Sequence, residues 1–510
     1  MNLPNDLFKK EQKKPYEFWT FRDTRNEIKK PLFAAKELKL TATENKTVTG
    51  YLSHNILIAL KDIPQNLLNR LRADLTLKNP DFESAVKYGK GFVSYSIPEF
   101  IYMYLMDEDY IGLPRSIKQT YLLNKFEQCG IKLNLVDKRP IFETIEVGLK
   151  EGKQPLFYQV DAIQKIVDGN VILKFRCGMG KTVIALMAVA QIKLRTLIIV
   201  RTNVILTQWV DAIKQYLVFD EKDIGIINQD SKIEGKITIA TEQSLVAFSR
   251  DEKRRLGEIY GHVIVDECHE IGAGQYRDLV TFFKARKITG LTATPNRDDG
   301  LTIVLKLFIG QIVEVDDIGE SNLRIKIVKT KFNFQFDKKT QQYNKLLEHL
   351  SEDFDRNQLI IDEIKTFLEQ DRIIVCYSSR VKHMEILNDM LVSQVPNVKS
   401  DILANERYGK KVSITEQNNI KNKLVNGEIQ VLFGGKIVEQ GFDCPILSTV
   451  ILATPTRSLR LVEQVIGRCQ REYKGKQVPV FVDFFDENTD ILKYQFFTKS
   501  RKIYSNYEKV

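Results

Sequence analysis

Short apolar segments alternate with amphipathic segments along the chain from about residue 155. The apolar segments have the length of strands and are rich in isoleucine and valine; they read NVILKF, TLIIV, KITIA, HVIVD and KITGLTAT. The segments between them, such as KTVIALMAVAQIKL and NVILTQWVDAIKQYL, repeat apolar residues at helical spacing. Apolar strands between amphipathic helices predict a parallel sheet that is covered on both faces.

A second series of the same kind begins near residue 372 and contains the strand-like segments RIIVCY, IQVLF, STVILAT and VPVFVDF. The first 150 residues mix strand and helix patterns without this alternation. The predicted fold class is therefore α/β, with two tandem parallel-sheet domains and an N-terminal α+β domain. The expected boundaries are an accessory domain over 1–150, a first α/β domain over 151–310, a linker over 311–345, and a second α/β domain with a C-terminal helix over 346–510.

Composition and charge narrow the class of protein without identifying it. The chain has 510 residues, of which 43% are hydrophobic and 28% charged, as expected for several globular domains. No apolar run reaches the roughly 18 residues of a membrane-spanning helix, and the first residues lack the apolar core of a secretory signal. The six cysteines are far apart and form no metal-binding pattern, which favours a reducing compartment. The net charge of +10 permits an anionic partner such as nucleic acid.

The sequence RCGMGKT follows the first apolar strand and precedes a helix, as a phosphate-binding loop does. Its two glycines allow backbone N–H groups to face a phosphate, Lys181 can reach the β- and γ-phosphate oxygens, and Thr182 offers a hydroxyl to Mg²⁺. The full pattern has a glycine where Phe175 stands, so a chance glycine-rich turn is the alternative. The predicted nucleotide-binding residues here are Arg176, Cys177, Gly178, Met179, Gly180, Lys181 and Thr182.

A second apolar strand ends in the charged sequence VIVDECHE. In a phosphate-loop ATPase such a strand end supplies the acids near the metal. Asp266 is predicted to hold Mg²⁺, directly or through water, and Glu267 to orient and deprotonate the attacking water. Cys268 is expected to fill space. His269 is a candidate sensor of the neighbouring domain, and a surface or hydrogen-bonded histidine is the alternative.

The sequence DECH resembles the DExH box of superfamily 2 helicases, and further motifs occur in the order typical of that family over about residues 150–490. LFYQVDAI is similar to the segment that reads adenine, whereas VRTNVILTQW and IATEQSL resemble segments that grip one nucleic-acid strand. GLTATPNRDDG carries the Thr-Ala-Thr coupling motif. GFDCP resembles a second-domain motif that touches ribose and nucleic acid, and QVIGRCQR matches the arginine-finger motif.

This resemblance implies two RecA-like domains with ATP and Mg²⁺ between them and nucleic acid across the opposite face. It implies catalytic roles for Gln464, Arg468 and Arg471 beside Lys181, Asp266 and Glu267. The two arginines are three residues apart and can share one helix face. The other implied residues are Gln159 and Asp443 for the nucleotide, His269, Thr292 and Thr294 for coupling, and Arg201, Thr202, Gln208, Thr241, Gln243 and Gly435 for nucleic acid.

Two positions depart from the family pattern, because Gly435 stands where a threonine is usual and Gln440 where a glutamate is usual. The contact with nucleic acid at that motif is therefore in doubt. The aromatic residues of the first 150 residues are expected to pack in a core rather than to stack on bases, although this region is also a candidate nucleic-acid-binding domain. The C-terminal aromatic helix is likewise expected to pack against the protein core, and a nucleic-acid contact is the alternative.

Within the family, TQW, GLTATPNRDDG and RNQLIIDEI resemble XPB-type and related viral helicases. The motifs RCGMGKT and GRCQRE are most similar to poxvirus transcript-release DNA helicases and their asfarvirus counterparts. The expected function is ATP-dependent unwinding or remodelling of nucleic acid, with DNA preferred. An RNA helicase, a double-strand translocase and a non-catalytic scaffold are the alternatives. The resemblance also implies a monomer without membrane attachment, viral transcription machinery as a partner, and the cytoplasmic viral factory or the virion as the location.

Overall fold

The computed structural model describes residues 40, 45–88, 98–175, 179–270, 279, 282–293, 302–314, 322–335, 343–435, 444–471, 473 and 475–510. The chain divides into two compact units, the first of residues 1–174 with 182–315 and the second of residues 175–181 with 316–510. Each unit has its own hydrophobic core.

The N-terminal part of the first unit is a mixed sheet with helices, as the lack of alternation in its sequence predicted. Five of its strands form a sheet of order β5-β6-β2-β1-β7, antiparallel except where β1 pairs with β7. The strands are β1 (Lys46–Leu52), β2 (Asn55–Ala59), β3 (Thr76–Lys78), β4 (Phe100–Tyr102), β5 (Leu105–Met106), β6 (Tyr110–Pro114), β7 (Ile131–Asp137) and β8 (Gly148–Leu149). The helices are α1 (Gln65–Asp74), α2 (Pro80–Tyr88) and α3 (Gln119–Glu127).

The rest of the first unit is an eight-stranded sheet of order β13-β12-β14-β10-β15-β16-β9-β17, in which only β13 is antiparallel to its neighbour. The strands of this sheet are β9 (Val171–Lys174), β10 (Thr196–Val200), β12 (Ile224–Ile227), β13 (Lys232–Ile233), β14 (Ile237–Thr241), β15 (His262–Val265), β16 (Lys287–Thr292) and β17 (Gln311–Glu314). A further strand, β11 (Leu217–Val218), pairs with β8. The helices are α4 (Phe157–Asp168), α5 (Lys181–Ile192), α6 (Asn203–Tyr216), α7 (Glu242–Ala247), α8 (Arg250–Ile259) and α9 (Thr302–Phe308). The central strands β10, β14 and β15 are buried at every residue, which is why they contain almost only apolar side chains.

The second unit is built on a seven-stranded, all-parallel sheet of order β20-β23-β19-β24-β25-β18-β26. The strands of this sheet are β18 (Arg324–Lys329), β19 (Ile374–Tyr377), β20 (Ser400–Leu403), β23 (Val431–Gly434), β24 (Thr449–Leu452), β25 (Val480–Phe485) and β26 (Glu508–Lys509). The strands β21 (Glu406–Arg407) and β22 (Lys410–Lys411) form a separate antiparallel pair. The helices are α10 (Tyr343–Glu352), α11 (Phe354–Leu368), α12 (Val381–Gln394), α13 (Ile414–Val425), α14 (Leu459–Cys469) and α15 (Asp490–Lys502). Apolar clusters cover both faces of this sheet. The predicted fold class, two parallel-sheet α/β domains with an N-terminal α+β part, is confirmed.

Two details of the predicted organisation differ from the structure. The segment 311–345 was predicted as a linker, but β17 joins the first sheet beside β9 and β18 joins the second sheet beside β25. Most residues of both strands are exposed or only partly buried, so their sequence lacks the apolar signature of the central strands. The boundary at residue 150 separates two sheets, yet both sheets belong to one compact unit.

Hydrogen bonds between buried groups join the N-terminal sheet to the first parallel-sheet domain. The guanidinium of Arg115 donates to the carbonyl oxygens of Phe283 at 3.1 Å and Ala285 at 2.6 Å. The backbone N–H of Ser116 donates to the carbonyl of Leu307 at 3.2 Å. Burial lowers the pKa of Arg115 to about 9, so the side chain is still charged at neutral pH. One continuous apolar cluster contains residues of both sheets.

Replacing Arg115 with methionine is expected to lower the free energy of unfolding by several kcal/mol. Methionine keeps the unbranched apolar stem but leaves two buried carbonyl groups without their donor, at about 1–3 kcal/mol each. Chemical denaturation of the whole chain measures the change. Arg254→Met is the matched control, because Arg254 is more exposed and its carboxylate partner Asp251 is 3.8 Å away. Equal midpoints for the two variants would contradict a structural role for the Arg115 contacts.

The aromatic residues behave as the sequence predicted where the structure describes them. Tyr102 and Tyr104 are buried in the core of the first unit, and Phe100 packs against it. In α15, Phe496 faces the core of the second unit, whereas Tyr494 remains 74% exposed. Packing of these regions is therefore confirmed. No helix within the described ranges is long and apolar enough to cross a membrane.

Candidate functional site

The carboxyl ends of five neighbouring strands place most of the predicted first-domain motifs along one edge of the sheet. The register pairs Lys174 of β9 with Thr292 of β16, and Gly290 of β16 with Val265 of β15. On the other side, β15 pairs with β10, and β10 pairs with β14 up to Thr241. The segments that follow these strands therefore emerge side by side, where ligands bind in open parallel sheets.

The phosphate-loop candidate lies between β9 and α5. Lys181 and Thr182 are the first two residues of α5, and Gly180 before them has a φ of +83°, a left-handed conformation that favours glycine. The N-terminus of α5 presents backbone N–H groups and a partial positive charge, which suit a phosphate. The middle of α5 is buried on all sides, so the helix is fixed against the sheet. Arg176, Cys177 and Gly178 lie outside the described residues.

Asp266 follows β15 directly, and both of its carboxylate oxygens accept a hydrogen bond. The indole Nε1–H of Trp209 donates to Oδ2 at 2.9 Å. The backbone N–H of Glu267 donates to Oδ1, also at 2.9 Å. The backbone N–H of Asp266 itself donates to the carbonyl of Ile199 in β10 at 2.9 Å. The position and the rotamer of this carboxylate are therefore both determined by its neighbours.

Glu267 has a φ of +42°, which is unusual for a residue with a side chain. Such a conformation costs on the order of 1–3 kcal/mol and is concentrated at functional sites. Oε2 of Glu267 lies 3.4 Å from Nδ1 of His269. The hydroxyl of Thr292 lies 2.7 Å from the same nitrogen. The buried His269 thus lies in contact with both Glu267, just after β15, and Thr292, the last residue of β16. Thr294, the third predicted coupling residue, lies outside the described residues.

Cys268 packs in the core, which confirms the expectation that it fills space. A Cβ added to Gly290 in the adjacent strand β16 would lie 2.9 Å from the Cys268 sulfur. A glycine is needed there because the 3₁₀ turn Cys268–Glu270 lies directly against the strand.

The donor groups of this edge fit a magnesium ion. Thr182 provides a hydroxyl and Asp266 a carboxylate, and Mg²⁺ prefers such oxygen ligands. Magnesium is usually held through one or two carboxylates together with substrate phosphates and water. Over the described ranges, no group of three or more His, Cys, Asp or Glu side chains could hold a metal by itself.

Gln159 is held at the start of α4. Its Oε1 accepts a hydrogen bond from the backbone N–H of Leu156 at 3.0 Å, and its side chain is buried. The neighbouring Phe157 is 69% exposed. Recognition of adenine by Gln159 stays a prediction.

The residues predicted to grip nucleic acid in the first unit fall into two groups. Arg201, Gln208 and Gln243 are exposed beyond the ends of β10 and β14. Thr202 caps α6, where its hydroxyl accepts a hydrogen bond from the N–H of Ile205 at 3.4 Å. The hydroxyl of Thr241 is buried and donates to Ser244 at 2.8 Å. The first group is exposed to solvent, and the two threonine hydroxyls form hydrogen bonds within the protein.

Gly435 is buried in the second unit, and its surroundings explain the absence of the usual threonine. An added Cβ would lie 2.8 Å from both the carbonyl oxygen of Ser378 and the Cε of Met384. The backbone oxygen cannot move aside easily, so a larger residue would require a shift of the chain. This burial does not support the predicted nucleic-acid contact of Gly435. Asp443 and Gln440 lie outside the described residues.

The arginine-finger motif lies at the end of α14. Gln464 is buried and Arg468 is partly exposed in the last turn of the helix. The prediction that Arg468 and Arg471 share a helix face is wrong, because α14 ends at Cys469 and Arg471 follows in irregular chain. The ammonium group of Lys476 donates to the carbonyl of Arg471 at 2.8 Å and holds this segment.

Sequence reasoning missed Trp209 as a site residue, although it lies within the motif VRTNVILTQW. A buried tryptophan usually finds a hydrogen-bond partner for its N–H, so a polar partner could have been expected. The identity of that partner could not, because Asp266 is 57 positions further along the chain.

Comparisons with known proteins agree with this architecture. Residues 153–297 match the family described as "Type III restriction enzyme, res subunit", and residues 355–473 match the family "Helicase conserved C-terminal domain". The chain is 23% identical over 463 residues to "Putative ATP-dependent RNA helicase L396" of Acanthamoeba polyphaga mimivirus, covering 88% of this chain and 83% of that protein. It is 26% identical over 395 residues to "DNA 3'-5' translocase XPB2" of Sulfurisphaera tokodaii, covering 70% and 86%.

A solved structure of S. cerevisiae Dbp5 bound to RNA and ADP BeF3 shares the fold, with a TM-score of 0.52 and 14% identity over 71% of this chain and 90% of that chain. The matched families together with this fold define the class. The chain belongs to the superfamily 2 helicases, which hydrolyse nucleoside triphosphates to unwind nucleic acid or to move along it.

Proposed function

We propose that this helicase binds MgATP at the carboxyl edge of the first parallel sheet and uses its hydrolysis to move along DNA. The observation that carries the proposal is the order of the strand ends. Asp266 and Glu267 follow β15, Thr292 ends the adjacent β16, and β9 beside it continues toward Lys181 and Thr182. Phosphate-binding and acidic groups therefore belong to the same sheet edge.

The chain's own residues have distinct roles in the proposed reaction. Lys181 and the N-terminus of α5 bind the phosphates, and Thr182 and Asp266 would hold Mg²⁺, which neutralises phosphate charge when it is bound. Glu267 accepts a proton from the water that attacks the γ-phosphorus, and the bond to the β-phosphate oxygen breaks to leave ADP and phosphate. His269 holds the carboxylate of Glu267 through the contact at 3.4 Å.

Arg468 and Arg471 of the second unit are proposed to supply positive charge to the γ-phosphoryl oxygens in the transition state. Gln464 is proposed to support the same motif, Gln159 to read adenine and Asp443 to touch ribose. Arg201, Gln208 and Gln243 are exposed and are proposed to contact the nucleic-acid backbone or bases. Hydrolysis then becomes coupled to the strand through α6, which contains Gln208 and follows Arg201, and through α7, which contains Gln243.

The substrate is proposed to be DNA, with RNA as the second candidate. Support for DNA comes from the archaeal relative, which is named a DNA translocase. Support for RNA comes from the mimivirus relative, which is named an RNA helicase and matches more of this chain. The exposed residues of the first unit do not distinguish the deoxyribose of DNA from the ribose of RNA.

Steady-state ATP hydrolysis with single-stranded DNA, duplex DNA and single-stranded RNA as separate activators decides among these substrates. We expect DNA to stimulate turnover more than RNA of the same length and sequence. Stimulation by duplex DNA without separation of a labelled fork would identify a double-strand translocase. Stimulation by RNA alone would refute the DNA proposal while leaving the ATP site intact.

A role in viral transcription is the finer proposal. It is supported by the similarity of RCGMGKT and GRCQRE to poxvirus and asfarvirus transcript-release helicases, and by relatives from mimivirus and an iridescent virus. The protein would then act as a monomer on viral transcription complexes in the cytoplasmic viral factory. ATP-dependent release of a labelled transcript from a stalled elongation complex tests this role, and retention of the transcript would contradict it.

A further inference from the structure

We infer that Trp209 is a positioning residue for Asp266, and that through it the affinity for Mg²⁺ depends on helix α6. The inference rests on the proposed function, because Asp266 is there assigned to the metal. Its basis is the hydrogen bond of 2.9 Å from the indole Nε1–H to Oδ2 of the carboxylate. Trp209 is only 1% exposed, so water does not compete for this donor.

An indole is well suited to orient a carboxylate that must also bind a cation. Its N–H is a donor only, so the ring cannot itself become a metal ligand. It is also neutral, whereas an arginine or lysine at this place would neutralise the charge that attracts the metal. Each carboxylate oxygen can accept about two hydrogen bonds or equivalent contacts. In the structure Oδ1 accepts from the backbone N–H of Glu267 and Oδ2 from the indole of Trp209.

The position of Trp209 in α6 connects this carboxylate to the proposed nucleic-acid surface. Leu206, Trp209 and Ile213 form the buried face of the helix, which packs on β10 and β14. Gln208, the residue before Trp209, is exposed, and the helix begins just after Arg201 and Thr202. A rigid helix thus carries a nucleic-acid contact on one face and the donor to Asp266 on the other. A displacement of α6 by a bound strand would change the orientation of the metal carboxylate.

The alternative is that Trp209 only fills the core. Trp209→Phe separates the two roles, because phenylalanine keeps an aromatic ring in the core but has no N–H. Tyr260→Phe is the matched control in the same unit. The Tyr260 hydroxyl is buried and lies 2.6 Å from the Thr238 hydroxyl, so this variant also loses one buried hydrogen bond, at a place away from Asp266.

The measurement is the Mg²⁺ concentration at which a fluorescent ATP analogue reaches half-maximal binding, followed by anisotropy on the whole chain. Loss of a group that orients a metal ligand typically lowers metal affinity 10–100-fold. We therefore expect Trp209→Phe to need about 10-fold more Mg²⁺ than the unchanged protein, and Tyr260→Phe to need the same amount. Single-stranded DNA should shift the half-maximal Mg²⁺ concentration of the unchanged protein and leave that of Trp209→Phe unmoved.

A second readout uses the tryptophan itself, because the chain has only two tryptophans, Trp19 and Trp209. In a Trp19→Phe background, adding Mg²⁺ to the nucleotide-bound protein should change the emission of Trp209. Asp266→Asn is the reference for both readouts. If it shows unchanged Mg²⁺ dependence, the metal assignment in the proposed function is wrong. If it is defective while Trp209→Phe matches Tyr260→Phe, only the present inference is overturned.

Discussion

Glu267→Gln is expected to bind ATP normally and to hydrolyse it about 100- to 10,000-fold more slowly than the unchanged protein. Glutamine has nearly the same shape as glutamate but cannot accept a proton from water. Glu267 has a positive φ, and its Oε2 lies 3.4 Å from Nδ1 of His269. Stopped hydrolysis should hold the enzyme in its ATP-bound state and strengthen nucleic-acid binding.

Single-turnover hydrolysis and fluorescence anisotropy of a labelled oligonucleotide measure these two effects. Lys181→Ala is the informative control, because it removes a phosphate contact and should weaken ATP binding as well as hydrolysis. Glu267→Gln should thus lose hydrolysis alone, whereas Lys181→Ala should lose ATP binding as well. A general loss of folding would impair both steps in both variants. Turnover by Glu267→Gln at the rate of the unchanged protein would remove Glu267 from the role of base.

The strands and their polar ends could be predicted from sequence because their signals are local. The run VIVD is apolar until Asp266, and an unpaired charge inside a strand buried on both faces is costly, so the strand is expected to end there. The same reasoning placed Lys181 and Thr182 at the start of a helix, which the structure shows as α5. Each of these predictions depends only on residues that are close together in the sequence, within one strand or helix and its neighbour.

The contacts that bring distant segments together could not be predicted in this way. Arg115 and the carbonyl of Phe283 are 168 positions apart, and nothing near Arg115 in the sequence indicates that it is buried. The reason for a glycine at position 435 could not be predicted either, because the carbonyl of Ser378 that excludes a side chain belongs to another strand end. The end of α14 at Cys469 was also missed. A spacing of three residues between the two arginines is compatible with a helix, but it does not show where the helix ends.

Arg471 lies outside α14, and this placement bears on its proposed role. Because Arg471 is not part of a helix, its side-chain direction is not set by a helix face. Lys476 fixes the backbone of this segment by its hydrogen bond of 2.8 Å to the carbonyl of Arg471. The proximity of Arg471 lowers the pKa of Lys476, in addition to the larger effect of burial.

Arg471→Ala is therefore expected to lower the maximal rate of nucleic-acid-stimulated ATP hydrolysis about 1,000-fold or more, with the KM for ATP changed much less. The guanidinium acts on charge that develops only in the transition state, so its loss affects turnover rather than ground-state binding. Arg457→Ala is the matched control, because Arg457 is an exposed arginine of the same unit whose guanidinium carbon lies 5.3 Å from the centre of the Tyr343 ring. An exposed ion pair would contribute at most about 1 kcal/mol to stability and nothing to stimulation. Steady-state kinetics with and without nucleic acid distinguish the two roles, and wild-type stimulated turnover in Arg471→Ala would leave only the structural one.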